Sequence, residues 1–427
     1  MVWDHEVGGS NPLTPTIFSP AGVEQGQGGP ITSKEQGAPF LPLAVPFVGD
    51  EEKREMMNTL NSGLIATGPK TEQFQTEFAS YIGRKYAIGT DSCTNALHIT
   101  MAAMDIGPGD EVITTPMTFV ATANSIVYTG ATPVFVDVEP DTLNIDPAQI
   151  EKALTRHTRA IIPVHLYGHP CDMDRILEIA RKHGLKVISD CAHAIEAEYK
   201  GKKVGSLGDV ACYSFYATKN LATGNGGMLV TDDPALADLT QVLRDHGMSA
   251  GAWARYHTGE FKHYGMTHLG YKCIMWDLPA CLGLHQLRRI EARHQRRLEL
   301  SAMYRKLLEP LADRVTPLLP RPNVRHAHHL FPVLLTGLER DRVAAQMEEK
   351  GIGVGVHYRP VHLEPFYRER FGHHPGEFTV AEQAGERLLS LPFWPEMKDE
   401  DVKRVAATLG GVVRESGKRL ADAAGGR

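Results

Sequence analysis

Short apolar segments, spaced so that a helix fits between each pair, constrain the fold of this chain most strongly. Between about residue 41 and residue 290, strand-like runs alternate with helix-like ones; the clearest strand-like runs are residues 111–115, 133–137, 160–165 and 186–190. Parallel neighbouring strands need such long connections, which are usually helices. The pattern therefore predicts an α/β fold, with one large parallel or mixed sheet that helices cover on both faces.

One lysine stands in a turn between two further strand-like runs. Residues 209–215 and 228–231 are mostly apolar, and the polar turn between them holds Lys219 and three glycines. Among small polar residues at a strand end, a lysine can be kept dry and uncharged, and only the free amine attacks a carbonyl group. We therefore predict that Lys219 forms a Schiff base. A lysine in a solvated loop is the alternative.

A carboxylate ends the strand-like run of residues 186–190. A helix-like segment, residues 173–183, precedes this run, so Asp190 is expected to face the ligand crevice at the carboxyl ends of parallel strands. Pyridoxal phosphate (PLP) needs an acid at such a place, because the acid keeps the ring nitrogen of the cofactor protonated. Taken alone, Asp190 fits a helix cap or a metal ligand equally well.

Two earlier segments could hold the rest of such a cofactor. Ser92, Cys93 and Thr94 lie between a strand-like and a helix-like run. Small residues that open a helix leave free N–H groups, which form a phosphate cradle, although a plain Ser/Thr helix cap is as common. Phe119 follows the strand-like residues 111–115 and could stack on a cofactor ring. The alternative for Phe119 is an ordinary core position.

In chain order, these elements are a phosphate cradle, a ring-stacking aromatic, an acid and a lysine. With them, the chain resembles the DegT/DnrJ/StrS family of fold-type I, PLP-dependent nucleotide-sugar aminotransferases, from about residue 41 to about residue 409. The segments that carry the resemblance are residues 63–70, 164–174, 190–193, 214–219, 356–363 and 389–393. The resemblance implies a mostly parallel sheet of the seven-stranded type, a smaller C-terminal α+β domain and PLP as the cofactor.

The resemblance also implies a role for each matching residue. Lys219 would hold the cofactor covalently and later move a proton between substrate and cofactor carbons. Asp190 would pair with the ring nitrogen, His193 would lie near the phenolic oxygen, and Phe119 would cover one ring face. Ser214 would help the cradle to hold the phosphate.

Substrates follow from the same resemblance. They are an amino acid donor, L-glutamate, and a nucleotide-linked keto-deoxysugar, most similar to the UDP- or TDP-linked 4-keto-6-deoxyhexoses that are aminated at C4. Thr67, His357 and Tyr358 would contact the substrate. A PLP-dependent sugar dehydratase is an alternative, but such members carry histidine where this chain has Lys219. A catalytically silent regulatory protein is another, but it would have no need of both Lys219 and Asp190.

Four positions depart from the family pattern. Cys93 stands where glycine or alanine is usual, and Asn225 replaces a frequent glutamate. Lys272 occupies the position from which an asparagine of the partner subunit reaches the phosphate, and Ile274 follows where a polar residue is frequent. We predict a homodimer with shared active sites, in which Lys272 supplies a cation to the phosphate. A surface lysine is the alternative.

Apolar patterning and composition divide the chain. Residues 1–38 are rich in Gly, Pro, Ser and Thr and are expected to be a flexible leader. We predict a large PLP-binding domain over residues 39–290, a small C-terminal domain over residues 291–414 and a frayed tail over residues 415–427. One long helix, residues 278–307, is expected to leave the large domain.

Charge and cysteine content exclude several classes of function. The net charge of −6 gives no general attraction to nucleic acid or to an anionic membrane. No apolar run approaches the ~20 residues of a membrane span, and the first residues lack the apolar core of a secretory signal. The six cysteines form no Cys-x-x-Cys pair, and no His-Glu-x-x-His occurs. We therefore predict a cytoplasmic enzyme without a structural metal, a nucleic-acid partner or membrane attachment.

Overall fold

The computed structural model of the protein describes residues 39–248 and 265–425. The predicted leader, residues 1–38, lies outside the described residues. From Leu41 onward the chain forms one compact unit. Its α-helices in the described ranges are α1 (Asp50–Ser62), α2 (Pro69–Ile82), α3 (Cys93–Ala103), α4 (Val120–Tyr128), α5 (Pro147–Ala153), α6 (Met173–His183), α7 (Pro234–Leu243), α8 (Asp277–Arg288), α9 (Ile290–Leu308), α10 (Arg340–Glu349), α11 (Pro365–Phe371), α12 (Thr379–Arg387) and α13 (Asp399–Gly425).

A seven-stranded sheet forms the centre of the fold. Its strands are β1 (Tyr86–Thr90), β2 (Glu111–Thr114), β3 (Thr132–Phe135), β4 (Thr158–Ile161), β5 (Lys186–Asp190), β8 (Val210–Ser214) and β9 (Gly227–Thr231). They lie in the order β1-β9-β8-β5-β4-β2-β3. Strand β9 runs antiparallel to both of its neighbours, and the other pairs are parallel. This arrangement confirms the predicted α/β fold with a mostly parallel sheet.

Apolar side chains cover both faces of this sheet. On one face, Phe74 and Phe78 of α2 pack against Tyr213 and Phe215, with ring centroids 5.0–5.4 Å apart. On the other face, helices α3 and α7 contribute to a separate apolar cluster that includes Leu97. Because the strands are buried on both sides, their sequences read as continuous apolar runs without polar alternation.

Smaller sheets lie outside the central one. Two of them are β11-β6-β7, with β6 (Glu198–Tyr199), β7 (Lys202–Lys203) and β11 (Val324–Arg325), and β10-β12-β13, with β10 (Val315–Pro317), β12 (Phe331–Leu335) and β13 (Leu388–Leu391). The second of these packs with α9, α10 and α13 around its own apolar cluster. The fold thus includes the smaller C-terminal α+β part that the sequence predicted.

The prediction of a single long helix over residues 278–307 is wrong. Helices α8 and α9 are separated at Arg289, where φ is −104° and ψ is 0°. Neither proline nor glycine stands at the break; instead, the Arg289 side chain turns toward α1 and pairs with Glu51 at 2.7 Å and with the buried Glu52. Helix α13 continues past residue 415. The predicted domain boundaries at residues 290 and 414 stay predictions.

Several possible features are absent from the described part of the chain. In residues 39–248 and 265–425, no helix is long and apolar enough to cross a membrane. The same residues contain no cluster of three or more His, Cys, Asp or Glu side chains that could hold a metal ion. All six cysteines are buried and carry free thiols.

Candidate active site

Lys219 lies in the hairpin turn that joins β8 to β9. Its amide donates to the carbonyl of Tyr216 at 2.9 Å, and the hairpin is closed by a hydrogen bond from Phe215 N to Gly226 O at 2.9 Å. Desolvation lowers the pKa of Lys219 from 10.5 to about 8, and the charge of Asp190 opposes this shift. Roughly one Lys219 amine in ten is therefore uncharged at neutral pH, far more than for an ordinary lysine.

Asp190 ends β5 and is buried beside this turn. Its Oδ2 accepts a hydrogen bond from the hydroxyl of Thr122 at 2.8 Å, and its Oδ1 accepts one from the amide of Ala192 at 3.0 Å. Burial raises the pKa of Asp190, while these two donors and the charge of Lys219 lower it. These hydrogen bonds thus stabilise the ionised form of a buried carboxylate. An ionised carboxylate is what a protonated ring nitrogen needs as a partner.

The cradle predicted at Ser92, Cys93 and Thr94 forms the first turn of α3. Ser92 caps the helix, because its Oγ accepts from the amide of Asn95 at 3.2 Å. The amides of Cys93 and Thr94 donate to no group within the two described ranges. Free amides at a helix start bind anions well. The backbone of this turn therefore fits a phosphate better than the Ser92 hydroxyl, which also donates to Asp91 at 3.0 Å.

Gly227 connects the lysine hairpin to this cradle. Gly227 pairs with Ser214 in the β8–β9 ladder, and a Cβ on it would lie 2.5 Å from the amide nitrogen of Cys93. Only glycine permits so close an approach of two backbones. The hairpin therefore brings Ser214, at the end of β8, next to the start of α3.

Cys93, the residue that departs from the family pattern, lies between the cradle and the acid. Its Sγ is 4.0 Å from Oδ1 of Asp190. Burial and the nearby carboxylate raise the pKa of the thiol, so the thiol stays neutral. Cys93 thus adds bulk beside the acid without adding charge.

Phe119 is exposed, which excludes the alternative of an ordinary core phenylalanine. It precedes α4, its side chain is 56% exposed, and its ring centroid lies 5.9 Å from that of Tyr358. An aromatic ring left open at the carboxyl edge of the sheet is free to stack on a planar ligand.

Three further residues lie near the lysine: His193, His357 and Tyr358. Nε2 of His193 lies 3.2 Å from the hydroxyl of Tyr358, and Nδ1 of His357 lies 3.0 Å from the hydroxyl of Ser390. Burial and the charge of Lys219 lower the pKa of both histidines, that of His357 to about 4. The two histidines near the lysine are therefore neutral, and Asp190 is the charged group beside it.

Two predicted residues have other partners within this chain. The hydroxyl of Thr67 donates to the carbonyl of Met275 at 2.6 Å. Nearby, the carboxylate of Asp277 accepts hydrogen bonds from backbone amides at the start of α2. Lys272 is 53% exposed at its side chain and pairs with Asp245 at 2.9 Å. Within one chain Lys272 therefore makes a surface ion pair; its contact across a dimer interface stays a prediction.

Sequence reasoning missed three polar residues of this site. Thr122 lies one helical turn after Phe119, so a hydroxyl facing the sheet edge could have been inferred from helical spacing. Asn220 and His329 gave no comparable signal. They meet each other across 109 residues of sequence, at 3.1 Å.

Comparison with known proteins agrees with this geometry. Residues 46–410 match the DegT/DnrJ/EryC1/StrS aminotransferase family. The chain is 46% identical to the spore coat polysaccharide biosynthesis protein SpsC of Bacillus subtilis, over 88% of this chain and 97% of SpsC.

Solved structures show the same likeness. Spr1654 from Streptococcus pneumoniae, described as a sugar aminotransferase and solved in PLP and PMP forms, superposes with a TM-score of 0.83 at 32% identity, over 89% of this chain and 100% of that one. PseC from Helicobacter pylori, an aminotransferase involved in the biosynthesis of pseudoaminic acid, superposes with a TM-score of 0.82 at 28% identity. The match covers 88% of this chain and 100% of PseC. This chain therefore belongs to the DegT/DnrJ/EryC1/StrS aminotransferase family and is a PLP-dependent sugar aminotransferase.

Proposed function

We propose that the enzyme transfers the amino group of L-glutamate to C4 of a UDP- or TDP-linked 4-keto-6-deoxyhexose, for the synthesis of an amino sugar used in a polysaccharide or secondary metabolite. The observation that carries the proposal is Lys219, whose pKa is lowered to about 8 at the point where an anion cradle meets a buried carboxylate. The polysaccharide context comes from the likeness to SpsC.

The residues of the site fit the cofactor at each of its ends. The free amides of Cys93 and Thr94 would hold the phosphate, with the Ser214 hydroxyl beside them. Asp190 would face the ring nitrogen, and Phe119 would cover the ring. When bound, PLP supplies an aldehyde for an amine and a ring that withdraws electrons from the reacting carbon.

Lys219 would act first as a nucleophile and then as an acid and base. Its free amine would hold the cofactor, and once released it would take a proton from the carbon of the amino donor and later return one to the sugar. A pKa near the working pH suits a group that must both accept and give a proton. Asp190, kept ionised by Thr122 and Ala192, would hold the proton of the ring nitrogen throughout.

A second copy of the chain would complete the site. Large apolar side chains stay exposed on segments next to the site, among them Tyr216, Leu269 and Trp276, which are 43%, 83% and 48% exposed. Exposed apolar groups in such number favour a subunit interface. We infer a homodimer with two shared sites, Lys272 reaching the partner's phosphate. Six free cysteines favour a reducing, cytoplasmic location.

The test is a substrate panel. The PLP-loaded enzyme is incubated with L-glutamate and, separately, with UDP- and TDP-linked 4-keto and 3-keto deoxysugars, and the products are identified by mass spectrometry and by NMR of the aminated carbon. We expect a 4-amino-4,6-dideoxyhexose and 2-oxoglutarate. Amination at C3 alone would contradict the C4 proposal. Loss of water without amine transfer would instead favour the dehydratase alternative.

A further inference from the structure

Two buried histidines face each other beside Lys219. The rings of His193 and His329 have centroids 4.4 Å apart, with 34° between their planes. Burial and the charge of Lys219 contribute to lowering the pKa of each, so both rings are neutral. In a neutral imidazole one nitrogen donates and the other accepts, and the neighbours of each ring decide which is which.

The neighbours of His193 make it a donor toward the cleft. Nδ1 of His193 lies 3.2 Å from the backbone amide of Tyr167. A backbone N–H only donates, so Nδ1 carries no hydrogen and Nε2 must carry it. That hydrogen points to the hydroxyl of Tyr358 at 3.2 Å.

The orientation of Asn220 gives His329 the opposite polarity. Nδ2 of Asn220 lies 3.0 Å from the carbonyl of Ala327 and 2.9 Å from both carboxyl oxygens of Glu196. A backbone carbonyl only accepts, so the amide nitrogen must be on that side, and the amide oxygen faces Nδ1 of His329 at 3.1 Å. Nδ1 of His329 therefore carries the hydrogen, and Nε2 is left as a bare acceptor.

The acceptor atom of His329 has no partner among the described residues and is not fully enclosed. Within residues 39–248 and 265–425, Nε2 of His329 makes no hydrogen bond, and it is not among the fully enclosed side-chain atoms without a partner, such as His165 Nε2. His329 as a whole is buried, with 4% of its surface exposed. A buried ring with one unpartnered acceptor that is not fully enclosed is placed for a ligand that donates.

We propose that His329 is a substrate-binding residue, whose Nε2 accepts a hydrogen bond from a hydroxyl group of the sugar. The proposal rests on the sugar substrate given above. Among the ligands of the reaction, the phosphate of the cofactor and both carboxylates of glutamate only accept hydrogen bonds, and the keto group of the sugar also accepts. The amino group of glutamate also donates, but it is the group that is transferred beside Lys219, so the sugar hydroxyls are the donors left to match the lone pair of Nε2.

Asn220 and Glu196 serve this contact as positioning residues. Asn220 directly follows Lys219 and is bound on three sides, by Glu196, Ala327 and His329. The same amide therefore fixes the turn that carries the lysine and the polarity of the ring that receives the sugar.

The two half-reactions test the contact separately. Glutamate alone converts the PLP form of the enzyme to the PMP form, and this half-reaction is measured by the loss of PLP absorbance. The sugar that the panel identifies then restores the PLP form and its absorbance. We expect His329→Leu to lower kcat/KM of the sugar half-reaction by about tenfold, the value of one hydrogen bond, while the glutamate half-reaction changes by less than about twofold. His329→Gln, whose Oε1 can take the place of Nε2, is expected to keep the sugar half-reaction within about threefold.

A second buried histidine provides the control. His294 is also buried, but its Nε2 bonds to the carbonyl of His326 at 2.9 Å, so it is already partnered. His294→Leu is expected to leave the ratio of the two half-reactions unchanged. Equal losses in both half-reactions of His329→Leu, or a His329→Gln enzyme as impaired as His329→Leu, would overturn the proposal.

NMR of the PLP-loaded enzyme, labelled with ¹⁵N-histidine, tests the acceptor without any sugar. The signals of His329 are assigned by their loss in His329→Gln, and we expect the hydrogen on Nδ1. A hydrogen on Nε2 would overturn the inference. If the wild-type enzyme converts glutamate but no sugar of the panel reacts, the proposed substrate is wrong, and the NMR result alone decides whether His329 is an acceptor.

Discussion

Replacing Thr122 by valine should raise the pKa of Asp190 and weaken the hold on the cofactor. The Thr122 hydroxyl gives its one hydrogen to Oδ2 of Asp190 at 2.8 Å, and the two side chains are 1% and 6% exposed. A hydrogen bond to a charged group contributes about 1.5–3 kcal/mol, which corresponds to about one to two pKa units. Valine keeps the shape of threonine and removes only the hydroxyl.

The pH dependence gives the sign of the effect. Burial already raises the pKa of Asp190, and Thr122 is one of the groups that lower it. Without the hydroxyl, the carboxylate protonates at a higher pH, so the defect should be largest in acid and shrink as the pH rises. We expect PLP to bind more weakly, with the largest loss at the acid end of the range and a loss of at most about 10–100-fold at any pH. The dissociation constant of PLP and kcat are measured from about pH 6 to about pH 9.

Two neighbouring variants make the test specific. Thr122→Ser keeps a hydroxyl and should behave like the wild type. Thr118→Val removes only a neutral hydrogen bond, because the Thr118 hydroxyl donates to Thr122 at 2.8 Å and not to Asp190. A Thr122→Val enzyme with the wild-type pH profile, or a Thr118→Val enzyme with an equal defect, would refute this account of Asp190.

Further predictions concern the lysine, the acid and the subunit interface. Borohydride reduction followed by peptide mapping should place the phosphopyridoxyl mass on the Lys219 peptide, and a label on another lysine would contradict the assignment. The rate of covalent attachment of PLP to the apoenzyme should rise with pH and level off above about pH 8, not near pH 10.5. Lys219→Arg should fold without turnover, because a guanidinium cannot attack the aldehyde. Asp190→Asn should keep the fold in circular dichroism yet slow amination steeply, and near-normal turnover would exclude its role. Mixing inactive Lys219→Ala and Lys272→Ala subunits should restore activity if sites are shared, whereas no recovery despite proven exchange would argue against Lys272.

Local patterns predicted the fold and the placement of the main site groups, because each depends on neighbours in sequence. The apolar runs located strands β2 to β5. Asp190, at the end of one run, and Phe119, shortly after another, were thereby located at one sheet edge. The break at Arg289 was not predictable in this way, because it accompanies ion pairs with α1, more than 230 residues earlier in the chain.

The polar network behind the lysine depends on contacts that no local pattern encodes. Glu196, Asn220 and His329 meet only after the chain has folded, and Lys272 pairs with Asp245, 27 residues earlier. Hydrogen-bond direction is a property of the assembled site, since a histidine or an asparagine alone is compatible with either orientation. The sequence could therefore name Lys219 and Asp190 but not the groups that orient their neighbours.

Because Gly227 has no side chain, the lysine turn and the start of α3 can lie in direct contact. Because the strand that leaves the lysine turn packs directly on the first peptide of α3, a single added methyl group would push the proposed phosphate cradle and the turn of Lys219 apart. If the cofactor binds as proposed, a substitution at Gly227 should change its affinity and its reactivity together. Variants that probe the proposed sugar contact are therefore better placed at His329, which the close backbone contacts of Gly227 do not involve: the backbone that Gly227 approaches is that of Ser92 and Cys93.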